Sequence, residues 1–117
     1  MEPDVFDPNC GSREVLELIA DKWSALILYA LRGRTLRHAE LQRAVGGISQ
    51  KMLTQTLRTL EADGIVSRVA FPVVPPHVEY SLTVLGESLS PLLAELCRWA
   101  EHNLADIRTA RAVNAQG

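Results

Sequence analysis

Residues 46–64 read GGISQKMLTQTLRTLEADG, and the fold prediction starts from this stretch. The two glycines allow the backbone angles of a tight turn, and Ser49 is a suitable cap for a helix that continues to Asp63 and stops at Gly64. At about 100° per residue, one arc of roughly 140° on this helix collects the polar side chains Gln50, Lys51, Thr54, Gln55 and Arg58. The opposite side collects the apolar side chains Met52, Leu53, Leu57 and Leu60. The stretch therefore predicts a turn followed by an amphipathic helix with one polar face.

The chain upstream of this helix predicts three shorter helices and one short strand. Residues 1–11 carry two prolines and three acidic residues without periodicity, so we expect a flexible N-terminal arm. Ser12 is predicted to cap the first helix, whose inward-facing residues are Val15, Leu16, Leu18 and Ile19. Asp21 is predicted to cap a second, largely apolar helix that ends at Gly33. Residues 35–37 are expected to form an edge strand, and a third helix covers about residues 38–45.

After Gly64 the hydrophobic pattern changes from a helical period to alternation. Two runs of alternating apolar residues flank the proline-rich segment 72–76, which predicts a β-hairpin with a long tip. A long helix is expected from Thr83 to Arg111, either kinked by Pro91 or regular only beyond it. Residues 112–117 are expected to be a disordered tail, which leaves one domain at residues 12–111. This order of elements predicts a winged helix-turn-helix, a mostly α arrangement of the α+β class.

The charge distribution favours a nucleic acid as the partner. The net charge is −2, but residues 32–68 hold seven cations and three anions. Phosphate attraction depends on the local field, so a basic middle segment suits duplex DNA. The amides, hydroxyl and cations of the polar helix face match the groups displayed in a major groove. We predict DNA contacts from that face and also from Arg37, Ser49, Arg68 and His77, the last two beside a minor groove; a merely solvated amphipathic helix is the alternative.

Other classes of function have little support in the sequence. The two cysteines and three histidines are scattered, so we expect no metal site, no disulfide and no cofactor. The chain has no paired carboxylates near a histidine and no glycine-rich phosphate loop, so we expect no enzyme. No apolar stretch approaches the ~20 residues of a membrane span, and the acidic start lacks the features of a signal peptide. We therefore expect a cytoplasmic protein without membrane contact.

Five runs of sequence resemble the HxlR-type regulators, winged helix proteins similar in architecture to the MarR regulators. The runs span about residues 10–100, and they are DKW at 21–23, LRHAEL at 36–41, GISQKMLT at 47–54, LRTLEADG at 57–64 and PVVPPHVEYSLT at 72–83. The resemblance implies DNA binding by a homodimer built from the first and last helices. It also implies a cysteine near the N-terminus that in several relatives senses oxidants or electrophiles. A winged helix used only for protein contacts is the alternative function.

Three positions depart from the pattern of that family. His38 stands where Phe or Tyr is usual, which we interpret as a change in packing. His77 stands where Arg or Lys is common, so its contact with DNA is expected to be weaker or sensitive to pH. Cys10 is followed by Gly11 where proline is frequent, which leaves its surroundings open.

Cys10 is the candidate sensor for a small electrophile or oxidant. It precedes the first helix, where unpaired N–H groups favour a thiolate, and Arg13 and Lys22 are expected to lower its pKa further. Asp7 and Glu14 would oppose them, and a cysteine that only packs is the alternative. Cys97 is expected to be a small, inert apolar residue.

The last helix is the candidate dimer interface because its apolar residues cover more than one stripe. Leu89, Leu93, Leu96 and Leu104 are predicted to face the core of their own domain. The predicted interface with a second copy consists of Val15, Leu92, Trp99 and Ile107. A helix embedded in the core of a monomer is the alternative.

Overall fold

The computed structural model describes residues 2–116, and within them the chain forms five helices and three strands. The elements are α1 (Ser12–Ala20), α2 (Lys22–Leu31), β1 (Leu36–Arg37), α3 (His38–Ala44), α4 (Gln50–Ala62), β2 (Val66–Phe71), β3 (His77–Leu82) and α5 (Val84–Gln116). The strands form an antiparallel sheet in the order β1-β3-β2. The predicted winged helix-turn-helix is confirmed, with α3 and α4 as its helical pair and β2–β3 as its wing.

Local capping explains where α2 and α4 begin. The Asp21 carboxylate accepts hydrogen bonds from the backbone N–H of Ser24 at 2.9 Å and from its hydroxyl at 3.1 Å. The Ser49 hydroxyl oxygen accepts a bond from the backbone N–H of Met52 at 3.1 Å. Each cap satisfies a donor that a helix start otherwise leaves unpaired. Both predicted caps are therefore confirmed.

The hydrophobic core lies between α2, α3, α4 and the first half of α5. Ile27, Leu41, Leu53, Leu60 and Leu93 have 0% exposure, and they come from all four of these helices. The apolar side of α4 is thus buried inside the domain. Its polar side has to face solvent, because the two sides belong to the same helical period.

Helix α1 differs from the expectation in two respects. Ser12 is the first helical residue and not the cap, since Gly11 occupies the cap position without a side-chain bond. Leu18 and Ile19 pack against the core, whereas Val15 and Leu16 are exposed. The helix lies at the edge of the domain, so only one narrow stripe of it meets the core.

Helix α5 is longer than predicted and leaves the core earlier. It continues to Gln116, so the predicted disordered tail is wrong for residues 112–116, while Gly117 lies outside the described residues. Its 33 residues extend about 50 Å at 1.5 Å per residue. Leu89 and Leu93 pack inward as expected, but Leu96 and Leu104 are exposed because the core ends before them. Met52 of α4 is likewise partly exposed and not fully packed.

A tight junction connects the sheet to α5. The Thr83 hydroxyl donates to the carbonyl oxygen of Gly64 at 2.6 Å and accepts from the backbone N–H of Gly86 at 3.0 Å. Gly86 is buried, and a Cβ at this position would collide with the carbonyl oxygen of Ile65. The missing side chain therefore lets the first turn of α5 approach the beginning of β2.

No helix within residues 2–116 has the length and the apolar character that a membrane crossing requires.

Replacing Gly86 with alanine should lower the free energy of unfolding by about 1–3 kcal/mol, the usual cost of overpacking a filled site. Alanine favours a helix over glycine, so the loss would be due to the collision with the backbone of Ile65. Urea denaturation measures the change. Gly46→Ala is the matched control, since nothing lies within 4 Å of its added Cβ. Equal denaturation midpoints for the two variants would contradict the requirement for glycine beside the backbone of Ile65.

Candidate nucleic-acid interface

The outer face of α4 is a continuous polar surface. Gln50, Lys51, Gln55 and Arg58 are exposed and Thr54 is half-buried, and all five line one shallow depression. The opposite side of the helix buries Leu53, Thr56, Leu57 and Leu60. The structure therefore brings together the five residues predicted from helical spacing. We call them the α4 face.

A second depression lies between α4 and the sheet. Thr54 and Arg58 border it on the helix side, and Arg68 and Tyr80 border it on the strand side. Arg68 lies in the middle of β2, where it pairs with Tyr80 of β3, and is separated from the proline-rich tip at 72–76. The hairpin folds back beside α4, and this brings two arginines distant in sequence to one concave surface, with Glu61 also at its rim.

The wing tip itself is apolar. Residues 72–76 contain only proline and valine, and Val74 is 99% exposed. His77 lies at the start of β3, where its Nε2 is 3.1 Å from a carboxylate oxygen of Glu79 and its ring stacks on Phe71 at 4.7 Å. These contacts occupy one ring nitrogen and one ring face. The wing thus has fewer polar groups free to contact DNA than the sequence suggested.

Arg37 and Ser49 both have local roles at helix starts. The backbone N–H of Arg37 donates to the Glu40 carboxylate at 2.8 Å, while its side chain is exposed. Ser49 caps α4 through its hydroxyl and is exposed as well. Both residues therefore flank the helical pair at positions open to solvent.

One polar contact at this surface was missed by the sequence analysis. The Nε2 atom of His38 lies 3.0 Å from Oγ1 of Thr54, and both residues are half-buried. The sequence suggested only altered packing at His38. Its pairing with Thr54 depends on how α3 crosses α4, which no spacing along the chain reveals.

The Cys10 thiol lies in a small polar cradle. The backbone N–H of Asp4 donates to Cys10 Sγ at 3.2 Å, and Oγ of Ser12 is also 3.2 Å from the sulfur. The hydrogen bond from the Ser12 side chain, followed by the backbone N–H groups of Ser12 and Asp4, lowers the pKa of Cys10 below its ordinary value. The backbone N–H of Ser12 at the helix start contributes to this lowering of the pKa, but the Ser12 side chain contributes more.

The predicted cations do not contribute to this pKa shift. Arg13 donates instead to the carbonyl oxygens of Val5 and Phe6, at 2.7 and 2.9 Å. Lys22 lies over the Trp23 ring, 4.3 Å from its centroid. Arg13 thus holds the 4–10 loop against α1. The pKa of Cys10 is lowered mainly by Ser12, and not by Arg13 and Lys22 as expected from the sequence.

Cys97 behaves differently. Burial, together with the charge of Glu101, raises the pKa of Cys97, and Arg32 only partly offsets this. The thiol form is therefore favoured at neutral pH, as expected for an unreactive residue. Within residues 2–116, the side chains of His, Cys, Asp and Glu form no group of three that could hold a metal ion.

A helical pair with a polar outer helix, flanked by a hairpin wing, defines the class of helix-turn-helix transcriptional regulators. Within that class the chain belongs to the HxlR family, since the HxlR-like helix-turn-helix family matches residues 18–108.

The chain is also similar to three proteins that are named as regulators. The HTH-type transcriptional regulator YtfH of Escherichia coli (strain K12) is 51% identical over 110 residues, which cover 94% of this chain and 87% of YtfH. The structure of ytfH from Salmonella typhimurium, described as a transcriptional regulator, is 50% identical with a TM-score of 0.87, covering 95% and 99% of the two chains. The oxidized form of the redox regulator HypR is 41% identical with a TM-score of 0.74, covering 80% and 97%.

Proposed function

We propose that this regulator reads a specific duplex DNA sequence as a homodimer, with α4 as the recognition helix in the major groove. The observation that carries the proposal is the division of α4 into a buried apolar side and an exposed side of amides, a hydroxyl and cations. No acidic residue interrupts positions 50–58. A groove lined by phosphates and base acceptors attracts such a surface.

The residues of the α4 face suit different contacts. Gln50 and Gln55 carry amides that can pair with adenine, while Lys51 and Arg58 suit guanine or phosphate. Arg68 borders the neighbouring depression between α4 and the sheet together with Thr54 and Arg58, and its guanidinium suits a phosphate. Arg37, Ser49 and His77 remain candidate contacts at the flanks. A surface made only for protein partners would favour acidic or apolar groups, which the α4 face lacks.

Exposed apolar side chains on α1 and α5 support the homodimer. Val15, Leu92 and Trp99 are 56%, 60% and 58% exposed, and Ile107 lies further along α5. Monomers rarely leave large apolar surfaces uncovered, and a second copy packed on α1 and α5 would bury these side chains. A two-fold dimer sets two recognition helices about 34 Å apart, one turn of DNA, and selects an inverted repeat.

Cys10 supports a response to electrophiles or oxidants. Its lowered pKa makes more of the reactive thiolate available at neutral pH. With a quinone, the sulfur forms a bond to a ring carbon while the C=C π bond opens and its electron pair moves to a carbonyl oxygen. One proton from water and the proton lost from the substituted ring carbon then give the two hydroxyls of a hydroquinone adduct. The adduct would displace Ser12 at the start of α1, which belongs to the proposed dimer interface. The spacing of the two recognition helices would then change and DNA affinity would fall.

Arg58→Ala and Lys51→Ala should each weaken binding to operator DNA selected from a random pool. A lost base contact costs about 1–3 kcal/mol, and a lost phosphate contact also flattens the dependence of affinity on salt. Gln50→Ala and Gln55→Ala should change base preference more than general affinity. Fluorescence anisotropy at several salt concentrations measures both effects, with Arg108→Ala on α5 as the control. Parental affinity and preference in all four variants would exclude α4 as the recognition helix.

Trp99→Ser and Leu92→Ser should shift the protein from dimer to monomer, because each removes a large apolar side chain from the proposed interface. Sedimentation velocity at micromolar concentration distinguishes the two states. Val74→Ser at the wing tip is the control, since it removes an even more exposed apolar residue that lies outside the proposed interface. A parent protein that sediments as a monomer would disprove the homodimer.

Benzoquinone should reduce operator binding by the parent and by Cys97→Ser, and spare Cys10→Ser. Ser12→Ala removes the largest cause that lowers the pKa of Cys10, so its reaction profile should move to higher pH and its rate at neutral pH should fall. Stopped-flow measurements across pH and anisotropy after treatment provide the two readouts. Equal loss of binding in the parent and in Cys10→Ser, or loss in neither, would remove Cys10 as the sensor.

A further inference from the structure

One hydrogen bond connects the two helices of the helix-turn-helix across its polar surface. His38 is the first residue of α3, and Thr54 lies in the second turn of α4. Their side chains meet at 3.0 Å, between His38 Nε2 and Thr54 Oγ1. The two residues are 16 positions apart in the chain. The contact therefore depends on the packing of α3 against α4.

Thr54 occupies the centre of the surface that faces DNA in the proposed function. It lines the depression of the α4 face and also the depression between α4 and the sheet. A threonine hydroxyl has one donor and two acceptor positions, and when it rotates freely it can present either to a ligand. A hydrogen-bond partner on the inner side of the hydroxyl fixes its rotation, so the hydroxyl can no longer switch between presenting a donor and presenting an acceptor to the ligand.

We propose that His38 is a positioning residue that fixes the direction and polarity of the Thr54 hydroxyl, and thereby sets the DNA preference of α4 at this position. The inference rests on α4 being the recognition helix. His38 itself acts from behind Thr54, since it is half-buried and contacts the hydroxyl from α3.

The chemistry of the surface around Thr54 determines whether His38 or Thr54 donates the hydrogen bond between them. When His38 Nε2–H donates to Thr54, the threonine O–H is left to donate outward. Its partner is then an acceptor on DNA, such as a phosphate oxygen, N7 or O6 of guanine, or O4 of thymine. The neighbouring cations Lys51, Arg58 and Arg68 attract that same acceptor-rich surface, so we assign the donor role to His38.

The test compares His38 and Thr54 variants of the full-length protein on DNA selected by the parent from a random pool. His38→Phe keeps an aromatic ring without nitrogen, His38→Gln keeps an N–H at similar reach, and Thr54→Val removes the hydroxyl at constant shape. His38→Phe and Thr54→Val should each lose about fivefold in discrimination at one base-pair or phosphate position, the value of one neutral hydrogen bond. The double variant should lose no more than either single variant, and His38→Gln should stay near the parent.

Two results would overturn the role of His38. One is a His38→Phe protein that selects the same sequences with the same affinity as the parent. The other is a double variant whose losses multiply, because independent effects mean that the two side chains do not act through each other. Nitrogen-15 spectra of the His38 ring in the DNA complex test the polarity directly. A proton on Nε2 is expected, and an unprotonated Nε2 would reverse the donor assignment.

The outcomes separate this inference from the function on which it rests. If Arg58→Ala weakens binding while His38→Phe changes nothing, only the role of His38 fails. If neither matters, and Lys51→Ala, Gln50→Ala and Gln55→Ala are also without effect, α4 is not the recognition helix and the proposed function fails first. Thermal melting establishes that each variant is folded. Thr54→Ser, which retains the hydroxyl, should preserve the parental preference even if His38→Phe proves unstable.

Discussion

The burial of one side of α4 is the constraint on which the rest of this surface depends. Leu53 and Leu60 are completely buried with Ile27 of α2 and Leu93 of α5. Each such side chain contributes about 1.5–3 kcal/mol relative to exposure, so rotating the helix about its axis would cost most of the stability of a small domain. The polar residues of the α4 face therefore keep their direction whether or not a ligand is present. A helix whose backbone is held by the core loses little backbone entropy when it binds a ligand.

The same core couples the sheet to the long helix. Thr83 connects the end of β3 to the residues just before β2, and Gly86 lets α5 pass against the backbone of Ile65. The elements that would contact DNA and the helix that would join two copies thus share one rigid junction. A change in the angle of α5 would move α4, the proposed recognition helix, with it. This coupling is what a regulator needs if an event near α1 and α5 is to alter DNA binding.

Polar contacts over short distances set the chemistry at both candidate sites. Ser12, and not a cation, lowers the pKa of Cys10, because its hydroxyl and N–H reach the sulfur directly while Arg13 is held by backbone carbonyls. His38 likewise reaches Thr54 from a neighbouring helix. In both cases the residue type could be noticed in the sequence, but its partner could not. A hydrogen bond requires a donor–acceptor distance within a few tenths of an ångström of about 3 Å, and composition and spacing do not determine positions that finely.

The sequence alone determined the features that arise from local rules. Caps at Asp21 and Ser49 and the shared direction of the α4 face follow from helix geometry within a few residues, so they could be predicted. Tertiary structure decided which remote residues meet and how far the core extends. It brought Arg68 to Arg58, left Val15 and Leu96 exposed, and required a glycine at position 86. These outcomes depend on how whole elements pack in three dimensions, because the same apolar residue is buried or exposed according to whether a neighbouring element covers it.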